Sequence, residues 1–257
     1  MRMGICPMTQ HPTPNTQHLA QSSVLSPQSS PDKPARVRRM FGRIVRRYDL
    51  MNTLMTGGMD KSWRKVAVAM CDPKGVLALD IATGTAELAL EMVRQGARRV
   101  VGLDFCGPML DEAARKTSEL GPVVRLMAGD AQALPFADGS FDRAINGFLL
   151  RNVADLPLTL REMHRVLRPG GRLVCLEITH PPSAVFGRLF RVFFYGFVPW
   201  LGGIISGEPQ AYRYLPNSLT NFPTAPKLAK MLRDASFANV RYRYLGFGAV
   251  AVHVAVK

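Results

Sequence analysis

The sequence predicts an α/β protein: a doubly wound, mostly parallel seven-stranded sheet, with an antiparallel C-terminal hairpin and an N-terminal helical cap. Three observations carry this. From residue 76 onward short apolar runs alternate with amphipathic stretches of helical spacing. The runs end in acidic or glycine-containing loops. The final residues hold two strand-like runs with no helix between them.

Residues 1–35 are rich in Pro, Ser, Thr and Gln and poor in large side chains, so they bury too little surface to offset the entropy of ordering, and a disordered extension is expected. Their serine content and shortage of acids also fit an organelle transit peptide, although arginine is sparse before Arg36, so import stays open. In the cap over 36–70, Val37, Met40, Phe41, Ile44, Val45 and Tyr48 recur at spacings of three and four, which makes a helical stripe. A second helix is expected over 61–70. VLALDIA then leads into TAELALEMVRQG, and VVGLD into PMLDEAARKTSEL; VRLMAGD follows, then FDRAINGF before LTLREMHRVL, and GRLVCLEI after the turn at Pro169, Gly170 and Gly171. A late helix, TAPKLAKMLRDASF, has Thr224 in the capping position, and the closing strands turn at Gly246 or Gly248.

The chain of 257 residues carries a net charge of +14, which favours anionic partners without choosing among them. Four scattered cysteines lack C-x-x-C spacing or nearby histidines, so neither a disulfide framework nor a metal site is expected, and a reducing, cytoplasmic setting is the default. The longest apolar stretch, within an expected insertion over 181–222, is interrupted by Arg188, Arg191 and Pro199. It suits contact with an acidic membrane surface better than a crossing. The N-terminus lacks the apolar core of a secretory signal, so export is not expected.

In an open parallel sheet the ligand sits beyond the carboxyl ends of the strands. The first such loop holds Asp80, Gly84 and Thr85, and its single glycine falls short of the G-x-G-x-x-G of a dinucleotide site. The second strand ends at Asp104, where a carboxylate can accept both ribose hydroxyls, and the third at Asp130, within reach of an adenine amino group. Three acidic strand ends with one glycine turn suit a nucleoside without a pyrophosphate, and S-adenosylmethionine is that ligand.

These stretches resemble the quinone-biosynthesis C-methyltransferase family, the demethylmenaquinone and ubiquinone methyltransferases. The matching segments are RYDLMN, LDIATGT, GDAQALPFADGSFD, LRNV, REMHRVLRPGGRLVCLE and AYRYLPNS, and they extend over nearly everything after Met40. RYDLMN, LRNV and SGEPQAYRYLP are particular to the family; the others recur in many small-molecule methyltransferases. The resemblance implies a class I methyltransferase (Rossmann-like) fold with cofactor contacts at Thr85, Asp104, Asp130 and Ala131. With the neighbouring loop positions, the candidate cofactor set is Asp80, Ala82, Gly84, Thr85, Asp104, Phe105, Asp130, Ala131 and Asn146. Two departures stand out. Ala86 and Glu87 occupy positions where the family usually has glycine and aspartate, and alanine fits if its φ stays negative. Gly147 replaces a polar residue.

The expected reaction is methylation of a ring carbon of a prenylated quinol, with demethylmenaquinol as substrate and a benzoquinol as the alternative. Arg151, Tyr48 and Asn152 are the candidate catalytic residues; Arg151 is always protonated, so it is expected to stabilise a phenolate rather than to act as a base. An amino-directed nucleic-acid methylase would want N-P-P-aromatic or D-P-P-aromatic after the fourth strand. NGFL stands there, so no nucleic-acid partner is expected. Another small-molecule O- or N-methyltransferase, a non-catalytic cofactor-binding protein and a homodimer stay open.

Overall fold

The computed structural model describes residues 33–200 and 209–257. Most of the expected N-terminal extension, residues 1–32, lies outside the described residues, as does 201–208 of the expected insertion. Helix α1 (Lys33–Thr56) opens ahead of the expected boundary at residue 36. Lys33 is buried and donates from Nζ to the Val153 carbonyl at 2.7 Å and the Arg151 carbonyl at 3.4 Å, which ties the helix to the turn after β4. Helix α2 (Met59–Cys71) completes the cap.

The sheet then forms from β1 (Leu77–Ile81), β2 (Arg99–Asp104), β3 (Val124–Ala128), β4 (Phe141–Gly147) and β5 (Leu167–Ile178), all parallel, with β6 (Ala238–Leu245) and β7 (Val250–Val256). Its order is β3-β2-β1-β4-β5-β7-β6, and β7 runs antiparallel to both β5 and β6. The order reverses between β1 and β4, which opens a crevice at their carboxyl ends. Helices α3 (Glu87–Arg94), α4 (Gly107–Thr117) and α5 (Leu156–Val166) make the crossovers. Because strand side chains alternate, Leu79 and Ile81 enter one core with Leu160, Met163 and Leu232, while Ala78 enters the other with Val68, Met92 and Val174. Both faces of β1 are therefore covered, which explains its unbroken apolar run.

After β5 come α6 (Ala184–Val192), a π-type turn at Phe193–Phe197, α7 (Pro209–Thr220) and α8 (Ala225–Asp234). Thr224 occupies the N-cap position of α8, but its hydroxyl makes no capping bond. The hairpin turn uses both glycines: φ is +53° at Gly246 and +94° at Gly248, and an added Cβ would lie 2.7 Å from Trp63 and 2.6 Å from Pro182. That turn is wedged between α2 and the start of α6, where it closes a cavity described below.

Candidate active site

At the carboxyl edge of β2, Asp104 is buried and fixes the first loop: Gly84 N–H donates to Oδ2 and Cys106 N–H to Oδ1, each at 2.8 Å. Burial raises its carboxyl above the ordinary value, against the backbone N–H groups of Cys106, Gly84 and Phe105. A carboxylate has about four acceptor sites, so lone pairs remain for ribose hydroxyls. Around it a narrow cleft is walled by Ala82, Phe105, Asp130, Ala131, Val37 and Asn152. Asp130 is exposed and turns its own loop by accepting from Gln132 N–H at 2.9 Å.

Beneath the loop, Asp80 is wholly buried. Thr83 Oγ1 donates to its Oδ2 at 2.7 Å, while Oδ1 has no hydrogen-bond partner. Burial pushes this carboxyl up to about 7, with the Thr83 bond opposing. A half-satisfied carboxylate lacks a donor, and a methionyl ammonium is one. Gly84 has φ +56°, and a Cβ there would meet nothing within 4 Å, so the loop backbone faces open space. These two features fit S-adenosylmethionine. Thr85 is tied instead to the cap: its Oγ1 donates to Asp49 at 2.8 Å, and Lys116 bridges Asp49 and Glu87 at 2.6 Å each. Ala86 departs from expectation, since its φ is +67°, not negative. Gly147 also has a packing reason, because a Cβ there would lie 2.9 Å from Leu88 Cδ1.

The turn after β4 separates two chambers. Leu149 and Asn152 face the cleft, whereas Arg151 lines a second cavity of about 550 Å³. Arg151 is buried in an ion pair with Glu177 of β5 at 2.9 Å, and Glu177 also accepts from Leu150 N–H at 2.6 Å. Burial raises the Glu177 carboxyl and Arg151 counters it. Tyr48 joins Arg151 in the cavity wall and packs edge-on against Phe41. Burial lifts its phenol above the ordinary value, against the pull of Arg64, Arg151 and the Asn52 amide, so the hydroxyl keeps its proton. The rest of the wall is mostly apolar, from Met40, Ile44, Phe148, Phe190 and Phe194 among others.

Of the expected residues, Ala82, Asp104, Phe105, Asp130, Ala131 and Asn152 share the cleft, and Tyr48 and Arg151 share the cavity. Asn152 is no helix cap: Asp155 caps α5, while Asn152 donates to Phe148 O and accepts from Tyr214. Asn146 lies in neither wall. It is buried, and its amide donates to Cys175 Sγ at 3.2 Å, so its contacts are with the core. Sequence reasoning missed Lys33, Asp49 and Glu177. Two of them left a signal: Asp49 stands within the family segment RYDLMN, and Glu177 is an acid near the end of the apolar run LVCLEI.

A model of the ubiE/COQ5 methyltransferase family matches residues 30–257. A demethylmenaquinone methyltransferase of Thermus thermophilus is 48% identical over 219 residues, 84% of this chain and 98% of that protein. A ubiquinone/menaquinone biosynthesis C-methyltransferase UbiE of Desulfotalea psychrophila is 41% identical, over 86% and 90%. Among solved structures, a SAM-dependent methyltransferase of Thermotoga maritima, described as a possible histamine N-methyltransferase, shares the fold at 22% identity. Its TM-score is 0.62, with 85% of this chain and 99% of that one covered. S-adenosylmethionine is the methyl donor, and the chain belongs to the ubiE/COQ5 methyltransferase family.

Proposed function

We propose that the chain methylates a ring carbon of a prenylated quinol and converts demethylmenaquinol to menaquinol. The observation that carries this is the turn at 149–152, which sets a carboxylate-walled cleft against a large apolar cavity. A benzoquinol of the ubiquinone pathway is the second reading, favoured by the double pathway in the name of the Desulfotalea relative.

S-adenosylmethionine supplies an electrophilic methyl group. The protein's task is then alignment and charge. Arg151, held by Glu177, presents a fixed cation to the ring oxygen next to the methylated carbon, so the phenolate that makes that carbon nucleophilic is stabilised. Tyr48, still protonated, donates a hydrogen bond to the same oxygen. The phenolic proton leaves to solvent before transfer. After transfer the ring proton on the methylated carbon is lost as the oxygen regains one, so aromaticity returns and one proton is released net. Cap helix α1 lines both chambers, through Val37 in the cleft and Met40, Phe41, Ile44 and Tyr48 in the cavity. Outside the cavity, Val185, Val192, Phe197 and Trp200 are exposed alongside Arg188 and Arg191, and the exposed Leu189 stands at the cavity wall, which suits an acidic lipid surface from which a prenyl tail could enter. Among the described residues no helix is long and apolar enough to cross a membrane.

The test supplies purified protein with S-adenosylmethionine and either a reduced demethylated naphthoquinol or a reduced benzoquinol, each in vesicles with anionic lipid. A ring-methylated naphthoquinol and protein that sediments with the vesicles are expected. Preference for the benzoquinol would reverse the substrate order, no turnover of either quinol would remove the reading, and protein left in the supernatant would remove the membrane contact.

A further inference from the structure

In a cavity wall that is otherwise apolar, Tyr48 and Arg151 account for one polar pole. Three more polar side chains continue the wall from Tyr48 along α1 and onto α2: Asn52 and Thr56 of α1 and Asp60 of α2. Asp60 is 3% exposed, and its charge is matched by the buried Arg64 one turn on. Thr56 Oγ1 donates to the Asn52 carbonyl at 2.7 Å and accepts from Asp60 N–H at 3.2 Å, so its bonding is complete. Asp60 still has acceptor sites left of its four or so. The Asn52 Nδ2 is buried and makes no hydrogen bond of ordinary geometry, although its amide stands close enough to Tyr48, one turn back on α1, to pull on that hydroxyl. This wall therefore offers one acceptor and one donor that the fold leaves unused, at a position where an unused donor is costly.

The two poles are connected through Phe148, which lines the cavity. The guanidinium carbons of Arg64 and Arg151 lie 5.9 and 5.6 Å from its ring centroid. Each arginine is held by its own buried carboxylate, so both poles are fixed in place. A hydroxyl is the simplest group that donates and accepts at once. A quinol ring carries two of them, para to each other, and only one is used at Arg151. We infer that Asp60 and Asn52 form a second subsite that binds the quinol hydroxyl remote from the methylated carbon: the hydroxyl donates to Asp60 and accepts from Asn52. The inference rests on the quinol reading above. It makes Asp60 a specificity residue for rings with two hydroxyls, distinct from the phenolate stabilisation at Arg151.

The experiment measures binding by calorimetry, under reductant and with S-adenosylhomocysteine present. The ligands are a short-chain prenylated naphthalenediol and its analogue lacking the remote hydroxyl. The intact protein is expected to prefer the diol by about 10- to 100-fold, the range for a hydrogen bond to a charged group. Asp60→Asn, which keeps the Asn52 donor, should reduce the preference to the about 3- to 10-fold that a neutral hydrogen bond gives. Asn52→Ala, which breaks no ion pair, should reduce the preference about 3- to 10-fold, and it serves should Asp60→Asn fail to fold. An equal loss for both ligands in the variants would assign the residues to structure alone and overturn the inference. Equal binding of both ligands by the intact protein would overturn it while leaving the quinol reading in place, whereas binding of neither would remove that reading itself.

Discussion

The two chambers on either side of the 149–152 turn are built in different ways. The cleft is made at strand ends by carboxylates and backbone N–H groups, with Asp104 and Asp130 in its wall and Asp80 buried beneath the loop at the end of β1. The cavity is made by packing α1, α2, α6 and the 246–248 turn against one another, and its polar groups stand on separate elements. Recognition in the first is electrostatic and local; in the second it depends on how distant segments meet. Substitutions on the two sides should therefore separate cofactor binding from substrate turnover.

The largest expected effect comes from a direct pair. Asp104→Ala should abolish detectable S-adenosylmethionine binding, because it removes the ribose acceptor and frees the N–H groups of Gly84 and Cys106 together. Arg151→Ala should leave cofactor affinity within about threefold yet lower kcat by about 10²–10³. It should also cost about 3–5 kcal/mol of stability, since Glu177 is left buried without its partner. Adding Glu177→Gln should restore stability and not kcat. Calorimetry, turnover and thermal unfolding on the three proteins check this, and equal loss of cofactor affinity in Asp104→Ala and Arg151→Ala would erase the division between the chambers.

A smaller effect tests the cleft by pH. The Asp80 carboxyl titrates near 7, above the ordinary range for a carboxylate, because it is buried. It is thus neutral at lower pH and anionic at higher pH, and only the anion is a full partner for the methionyl ammonium. Cofactor affinity should rise about fivefold from about pH 6 to about pH 7.5 as Asp80 ionises, then fall as the methionyl ammonium loses its proton near about pH 8. Asp80→Asn should bind more weakly, without the rise and with the fall kept. A slope of the opposite sign below the maximum, or a rise that survives the substitution, would rule out this pairing.

The difference in construction also explains what could be read from the sequence. Strands and helices follow from periodicity, and acids at strand ends follow from the sheet, so Asp104, Asp130 and their neighbours meet in the cleft as spacing suggests. Asn146 shares the strand-end position, yet residue type alone does not reveal that Cys175 and Met163 pack beside it. Lys33, Asp49 and Glu177 act across separations that no local pattern encodes: Asp49 reaches Thr85 and Lys116 only once α1 lies over the sheet. The subsite at Asn52 and Asp60 belongs to the same class, since it exists only where α1 and α2 meet around the cavity.

The smallest expected effect concerns Ala86. Its side chain is fully buried, and its φ of +67° places it in the left-handed region at the start of α3. That conformation costs an alanine about 1–2 kcal/mol, while a glycine there would give up about 0.4–1 kcal/mol through its freer unfolded state. Ala86→Gly should therefore stabilise the protein by about 0.5–1 kcal/mol, readable as a higher denaturant midpoint with an unchanged m-value. The sign matters more than the size. A loss of stability would mean that the buried methyl contributes more packing than its backbone costs, and the alanine would then be part of the loop's rigidity, not a strain carried by it.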